Sequence, residues 1–94
     1  FSSKDYKDDI ANLPEGSALD VLGKIRPVSY KYKPEFGGEE ALGVIAEEIE
    51  KVLPVAVKRK EFGGKKYTMV DYMALVPLLV KGMQEQQKQI NALG

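Results

Sequence analysis

Ninety-four residues, 44% of them hydrophobic and 30% charged, make one domain of marginal stability in isolation, because a chain this short buries only roughly 60–65% of the surface its unfolded form exposes. Fourteen basic and fourteen acidic residues cancel, which excludes a disordered polyelectrolyte and the one-signed field that non-specific binding to nucleic acid or anionic membrane needs. Cysteine and histidine are both absent, which removes disulfides, thiol nucleophiles, thiolate or imidazole metal sites and a histidine base, so that any catalysis would rest on Ser, Lys, Asp, Glu or Tyr.

Phe1 to Ile10 is short and polar and reads as extended or irregular. Leu13-Pro14-Glu15-Gly16 predicts a turn, after which Ser17 caps a short helix through Lys24 with Ala18, Leu19 and Leu22 facing inward. From Pro27 to Lys33 the sequence alternates, with Val28, Tyr30 and Tyr32 on one face and Ser29, Lys31 and Lys33 on the other, the period of a strand. Residues 34–40 form a loop with two adjacent glycines. Leu42, Ile45, Ile49, Val52 and Leu53 are spaced for a helix that Pro54 stops, with Gly43-Val44-Ile45 as an alternative short strand leading in. Residues 55–60 and 66–70 are β-prone and joined by Glu61-Phe62-Gly63-Gly64-Lys65, which predicts an antiparallel hairpin. Asp71 is a candidate N-cap for one helix to about Ala92, with Pro77 early enough to be tolerated.

In that last helix Met73, Val76, Val80, Met83, Gln87 and Ile90 follow one another at alternating spacings of three and four, a heptad seam. Leu75, Leu78 and Leu79 lie off it, so the first half has apolar surface for its own domain and for a partner, and residues 82–93 are expected to project and pair with other chains. Gln87 on the seam would weaken packing while fixing register. The alternative, packing of the whole stripe on its own domain, fits poorly with the wide polar face after Gly82. Val and Met at alternating seam positions fit two or three helices.

Other residues offer weaker chemistry. Glu47, Glu48 and Glu50 beside Lys51 read as a solvated helix face. Asp5, Asp8 and Asp9 lack the spacing and the bidentate Glu of a calcium loop, and no metal site is expected. Lys58, Arg59, Lys60, Lys65 and Lys66 around the hairpin turn are candidates for a phosphate-type anion, although lysines on strand edges more often discourage edge-to-edge pairing. No phosphate-loop motif is present, and no cofactor is expected.

Four blocks carry a resemblance: SSKDYKDDI at 2–10, IRPVSYKYK at 25–33, GVIAEEIEKVLPVAV at 43–57 and VDYMALVPLLVKGMQEQQKQI at 70–90. Together, in this order and spacing, they resemble the peptidase family of endosialidase-type intramolecular chaperones, found at the C-termini of phage tail-spike, tail-fibre and neck-appendage proteins and also in myelin regulatory transcription factors. Glu47 stands where the family typically has Gln. The resemblance implies a domain that aligns three chains of a fibrous protein, lets the upstream fibre or spike fold, and releases itself by autoproteolysis. It places the cut between Phe1 and Ser2, with Ser2 as nucleophile and Lys7 as its base. Lys7 would have to be neutral at the moment of attack, which desolvation or a nearby positive charge would favour. Residues five apart on a strand point to opposite faces, so a bend, a bulge or a neighbouring subunit has to bring the pair together. Ser3, with Lys4 or Lys7, is the alternative nucleophile.

The expected fold is thus α+β over residues 1–94: a 1–10 cleavage segment, short antiparallel strands including the 55–70 hairpin, short helices, and a 71–93 helix forming a trimeric coiled coil. The expected partners are two further copies and the upstream domain of the same chain, with no membrane and no nucleic acid, in the host cytoplasm during virion assembly. Two other readings stay open, a non-catalytic trimerisation or capping module and a coiled-coil adaptor in a cellular transcription regulator.

Overall fold

The computed structural model describes all 94 residues, Phe1–Gly94. Three α-helices, α1 (Ser17–Leu22), α2 (Ala46–Val52) and α3 (Leu75–Leu93), accompany two separate antiparallel hairpins. The first pairs β1 (Val28–Lys31) with β2 (Glu40–Gly43), and the second pairs β3 (Val57–Phe62) with β4 (Lys65–Val70). The class is α+β, as the sequence predicts.

The β3–β4 hairpin closes through Gly63 and Gly64, whose φ of 55° and 77° give the two consecutive positive values that a two-residue hairpin turn with strand-compatible twist demands. Its register sets Val57 opposite Val70 and Phe62 opposite Lys65. The β1–β2 hairpin sets Ser29 opposite Leu42. Here the structure corrects the helical reading of Leu42: the residue lies on β2 and is 82% exposed, and the helix begins only at Ala46. A strand does precede the helix, but at Glu40–Gly43, where it bonds to β1, and not over the expected Gly43-Val44-Ile45; it also takes Glu40 from the expected 34–40 loop.

Pro54 ends α2 as expected, and Ile49, 1% exposed, is the one large side chain fully enclosed. Helix α2 lies against the β3–β4 hairpin. Asp71 caps as predicted, its carboxylate accepting from the Met73 amide at 3.1 Å, but the turn it caps is a 3₁₀ turn over Tyr72–Ala74 that runs into α3. One bond ties the first hairpin to this junction, the Val44 amide donating to the Tyr72 hydroxyl at 3.1 Å, while the Asp71 amide donates to the Ala56 carbonyl at 2.7 Å and extends the second hairpin by one pair.

A single chain encloses little. Six of 94 residues are buried, and the radius of gyration is 16.6 Å where a compact domain of this length has roughly 12–13 Å. Helix α3 packs chiefly on α1 rather than on either hairpin, and residues 1–13 are exposed throughout.

Candidate functional site

The N-terminal segment is not simply extended. Residues Lys4–Tyr6 form a 3₁₀ turn, closed by Tyr6 N–H to Ser3 O at 3.1 Å and Lys7 N–H to Lys4 O at 3.2 Å. Ser3 caps it, its hydroxyl oxygen accepting from the Asp5 amide at 3.2 Å. This turn is the bend the five-residue spacing requires: it carries Lys7 back so that its Nζ donates to Ser2 Oγ at 3.0 Å. Phe1 lies edge-on to Tyr6 with ring centroids 5.6 Å apart, beside the pair. The two serines therefore have different engagements, Ser3 with backbone and Ser2 with the lysine. The whole segment is exposed, and residues 8–13 make no backbone hydrogen bond within the chain.

The predicted seam, whose first member Met73 lies in the 3₁₀ turn ahead of α3, is open to solvent along its length in the single chain. Met73, Val76, Val80, Met83, Gln87 and Ile90 are all exposed, while the off-seam Leu75 and Leu78 turn inward. Leu79 does not, and joins the exposed stripe. Gln87 bonds along its own helix, Nε2 donating to Asn91 Oδ1 at 2.9 Å.

The expectation that everything after Gly82 projects freely needs correction. Gly82 and Glu85 are buried beneath α1. A Cβ on Gly82 would stand 2.5 Å from Leu22 Cδ1, so a larger residue here would require the end of the Leu22 side chain to move as α1 packs on α3. Ser17 is not the cap of α1: it is the first helical residue, and its hydroxyl donates to the Pro14 carbonyl at 2.6 Å. Capping comes from across the fold. The Glu85 carboxylate accepts from Gly16 N–H at 2.7 Å and Leu19 N–H at 2.9 Å. Glu15 alongside accepts from Lys81 at 2.8 Å and Lys88 at 3.2 Å. Nothing in the run Gln84-Glu85-Gln86-Gln87-Lys88-Gln89 marks Glu85 as the enclosed member; the nearby Gly82 is the one local signal of close approach.

The basic residues of the second hairpin are not one patch. Residues opposite one another share a face, so Lys58, Lys60 and Lys65 fall on one side and Arg59 and Lys66 on the other. Arg59 is moreover engaged by Glu50 through two bonds, at 2.6 and 2.8 Å. Arg26 holds Glu48 in the same bidentate way, at 3.1 and 2.6 Å. Glu48 and Glu50, read from sequence as a solvated face, thus clip α2 to the chain before β1 and to β3.

Three carboxylates are held below the ordinary carboxylate range, each first by a hydrogen bond from its basic partner: Glu15 by Lys81, Glu48 by Arg26 and Glu50 by Arg59. A depressed folded pKa contributes stability that is present above the unfolded value and lost as pH falls through the folded one. The melting temperature is therefore expected to be flat around neutrality and to fall below roughly pH 4, modestly because all three carboxylates are solvent-exposed. A pH series by circular dichroism checks this, and a melting temperature unchanged in acid would contradict it. Tyr30 moves the other way, pushed up to about 12 chiefly by its hydroxyl bond with Tyr32 at 3.0 Å.

Comparison with known proteins places the chain. The family model described as chaperone of endosialidase matches residues 2–58, and the chain belongs to that family, which is classed among the peptidases. It is also similar to the long tail fiber protein Gp37 of Enterobacteria phage M1 and of Enterobacteria phage Ox2, 29% identical to each over 84% of this chain. The matched stretch is 33% of those relatives, so the chain spans about a third of their length. No helix is long and apolar enough to cross a membrane.

Proposed function

We propose that this chain is a self-cleaving trimerisation chaperone of a phage tail-fibre or tail-spike type protein, acting in the host cytoplasm during virion assembly and released from the finished appendage. The observation that carries the reading is the 3.0 Å contact between Lys7 Nζ and Ser2 Oγ, inside the stretch matched by the family. The Lys7 amine, once neutral, takes the Ser2 hydroxyl proton as Oγ bonds to the Phe1 carbonyl carbon. The carbon–nitrogen bond to Ser2 breaks, the proton passes to the freed Ser2 amine, and water hydrolyses the resulting ester. The pair is exposed in one chain, so a neighbouring copy that covers it would make cutting conditional on assembly.

The exposed seam supports the second half of the reading. Long fibres have non-local contacts and slow, aggregation-exposed folding, and three chains held at one end fold with a lower entropic barrier. The seam would hold three copies, and the upstream fibre would be the client.

Expression behind the natural upstream sequence, beside Ser2→Ala and Lys7→Ala, tests the chemistry. The parent is expected to yield a fragment whose mass begins at Ser2, and each variant to reduce it by about a hundredfold or more. A parent that assembles yet stays intact would reduce the role to a trimerisation or capping module.

A further inference from the structure

We infer that Glu85 latches the cleavage segment to the assembling helix, so that the placement of Ser2 and Lys7 depends on α3 being formed; the inference rests on the self-cleavage reading above.

Glu85 is 3% exposed on a helix whose neighbouring Gln84, Gln86, Gln87, Lys88 and Gln89 all face solvent. Both of its oxygens are spent on α1. Leu19 is the third residue of that helix and Gly16 its N-cap, a residue with no side chain to offer. Glu85 thus supplies from α3 what an Asp or Ser at the cap supplies locally. Helix α1 has six residues, far too few to persist alone, so it exists only where α3 presents Glu85 and the clearance at Gly82.

What lies upstream depends on this attachment. No hydrogen bond or ion pair joins residues 1–11 to the rest of the chain, and the first polar anchors met along the sequence are the Glu15 bonds to Lys81 and Lys88 and the Gly16 bond to Glu85. Asn12 and Leu13 line a groove with Val76, Pro77 and Val80, next to the open seam. The segment bearing Ser2 and Lys7 is therefore led off the same stretch of α3 on which chains would pair. With the latch closed, the C-terminal end of the segment, Asn12 and Leu13, is held beside the seam; with the latch open, residues 1–22 lose that attachment. Docking of α1 is the two-state element that would connect assembly to cutting.

The test uses the chain with its natural upstream sequence and the variants Glu85→Ala, Glu85→Gln and Ile49→Ala. Three readouts are taken: cleavage rate, oligomer mass, and hydrogen exchange of the 16–19 amides. Glu85→Ala is expected to keep the parent's oligomer mass, lose amide protection, and cut about tenfold more slowly or worse. Glu85→Gln keeps one carbonyl acceptor and is expected to fall between; it also carries the test if the alanine variant fails to assemble. Ile49→Ala, remote from the latch, is expected to cut at the parent rate wherever it is folded. Parent-rate cutting by a Glu85→Ala chain with unprotected amides would overturn the latch, as would equal slowing by Ile49→Ala, which would mean general destabilisation. A parent that never cuts sinks the self-cleavage reading itself and the coupling with it, a result distinct from either.

Discussion

Replacing Val80 and Met83 together by aspartate is expected to turn an oligomeric chain into a monomer with no loss of its own small core. Val80 is 50% exposed and Met83 70%, so neither belongs to the enclosed core of the single chain. In an assembled seam each aspartate would be desolvated and face its copies in the neighbouring chains, which costs several kcal/mol per site on an order-of-magnitude basis. The apolar burial lost is about 1.5–3 kcal/mol for each side chain in each chain. Sedimentation equilibrium reads the result directly. A parent of three times the chain mass and a variant of unit mass would bear out the proposed trimer; a monomeric parent, or a variant with the parent's mass, would refute the seam. The radius of gyration and the sparse burial make a second consequence follow, that the monomer melts well below the parent.

Ile49→Ala is expected to be the most damaging single truncation within one chain, at about 2–5 kcal/mol. Ile49 is the one large fully enclosed side chain, held between α2 and the second hairpin, and no other residue compensates for the cavity left behind. In a domain this small the loss corresponds to roughly 10–25 °C in melting temperature. Leu42→Ala is the contrast. The sequence pattern gives Leu42 and Ile49 equal standing on one helical stripe, whereas the fold leaves Leu42 on an exposed strand. Measured in the monomeric Val80→Asp/Met83→Asp background, Leu42→Ala is expected to change stability by no more than about 0.5 kcal/mol. Urea melts of the two variants decide between the stripe and the strand, since comparable losses would restore Leu42 to the core.

The ion pairs show a different division. Arg59 and Glu50 are nine residues apart, and Arg26 and Glu48 are twenty-two apart. Neither spacing falls on one helix face, so no local rule couples them. Each pair exists because the fold sets α2 down beside the chain before β1 and beside β3, and the same placement gives Arg59 a carboxylate partner.

Local physics fixed much of this protein in advance. The paired glycines within 61–65, the alternation through Pro27–Lys33, Pro54 after α2 and Asp71 as a cap are short-range signals, and a hairpin turn, a shorter strand, a helix end and a capped 3₁₀ turn lie at them. The Ser2–Lys7 spacing was legible too, though not its geometry, because three residues as strand and three residues as a 3₁₀ turn differ by weak local bonds that composition does not resolve. The tertiary structure alone decided which end of a strong pattern is enclosed: Ile49 rather than Leu42, and Glu85 rather than any of its polar neighbours. Burial depends on what the rest of the chain brings alongside, and for Glu85 that was a helix start sixty-six residues away whose amides had no partner of their own.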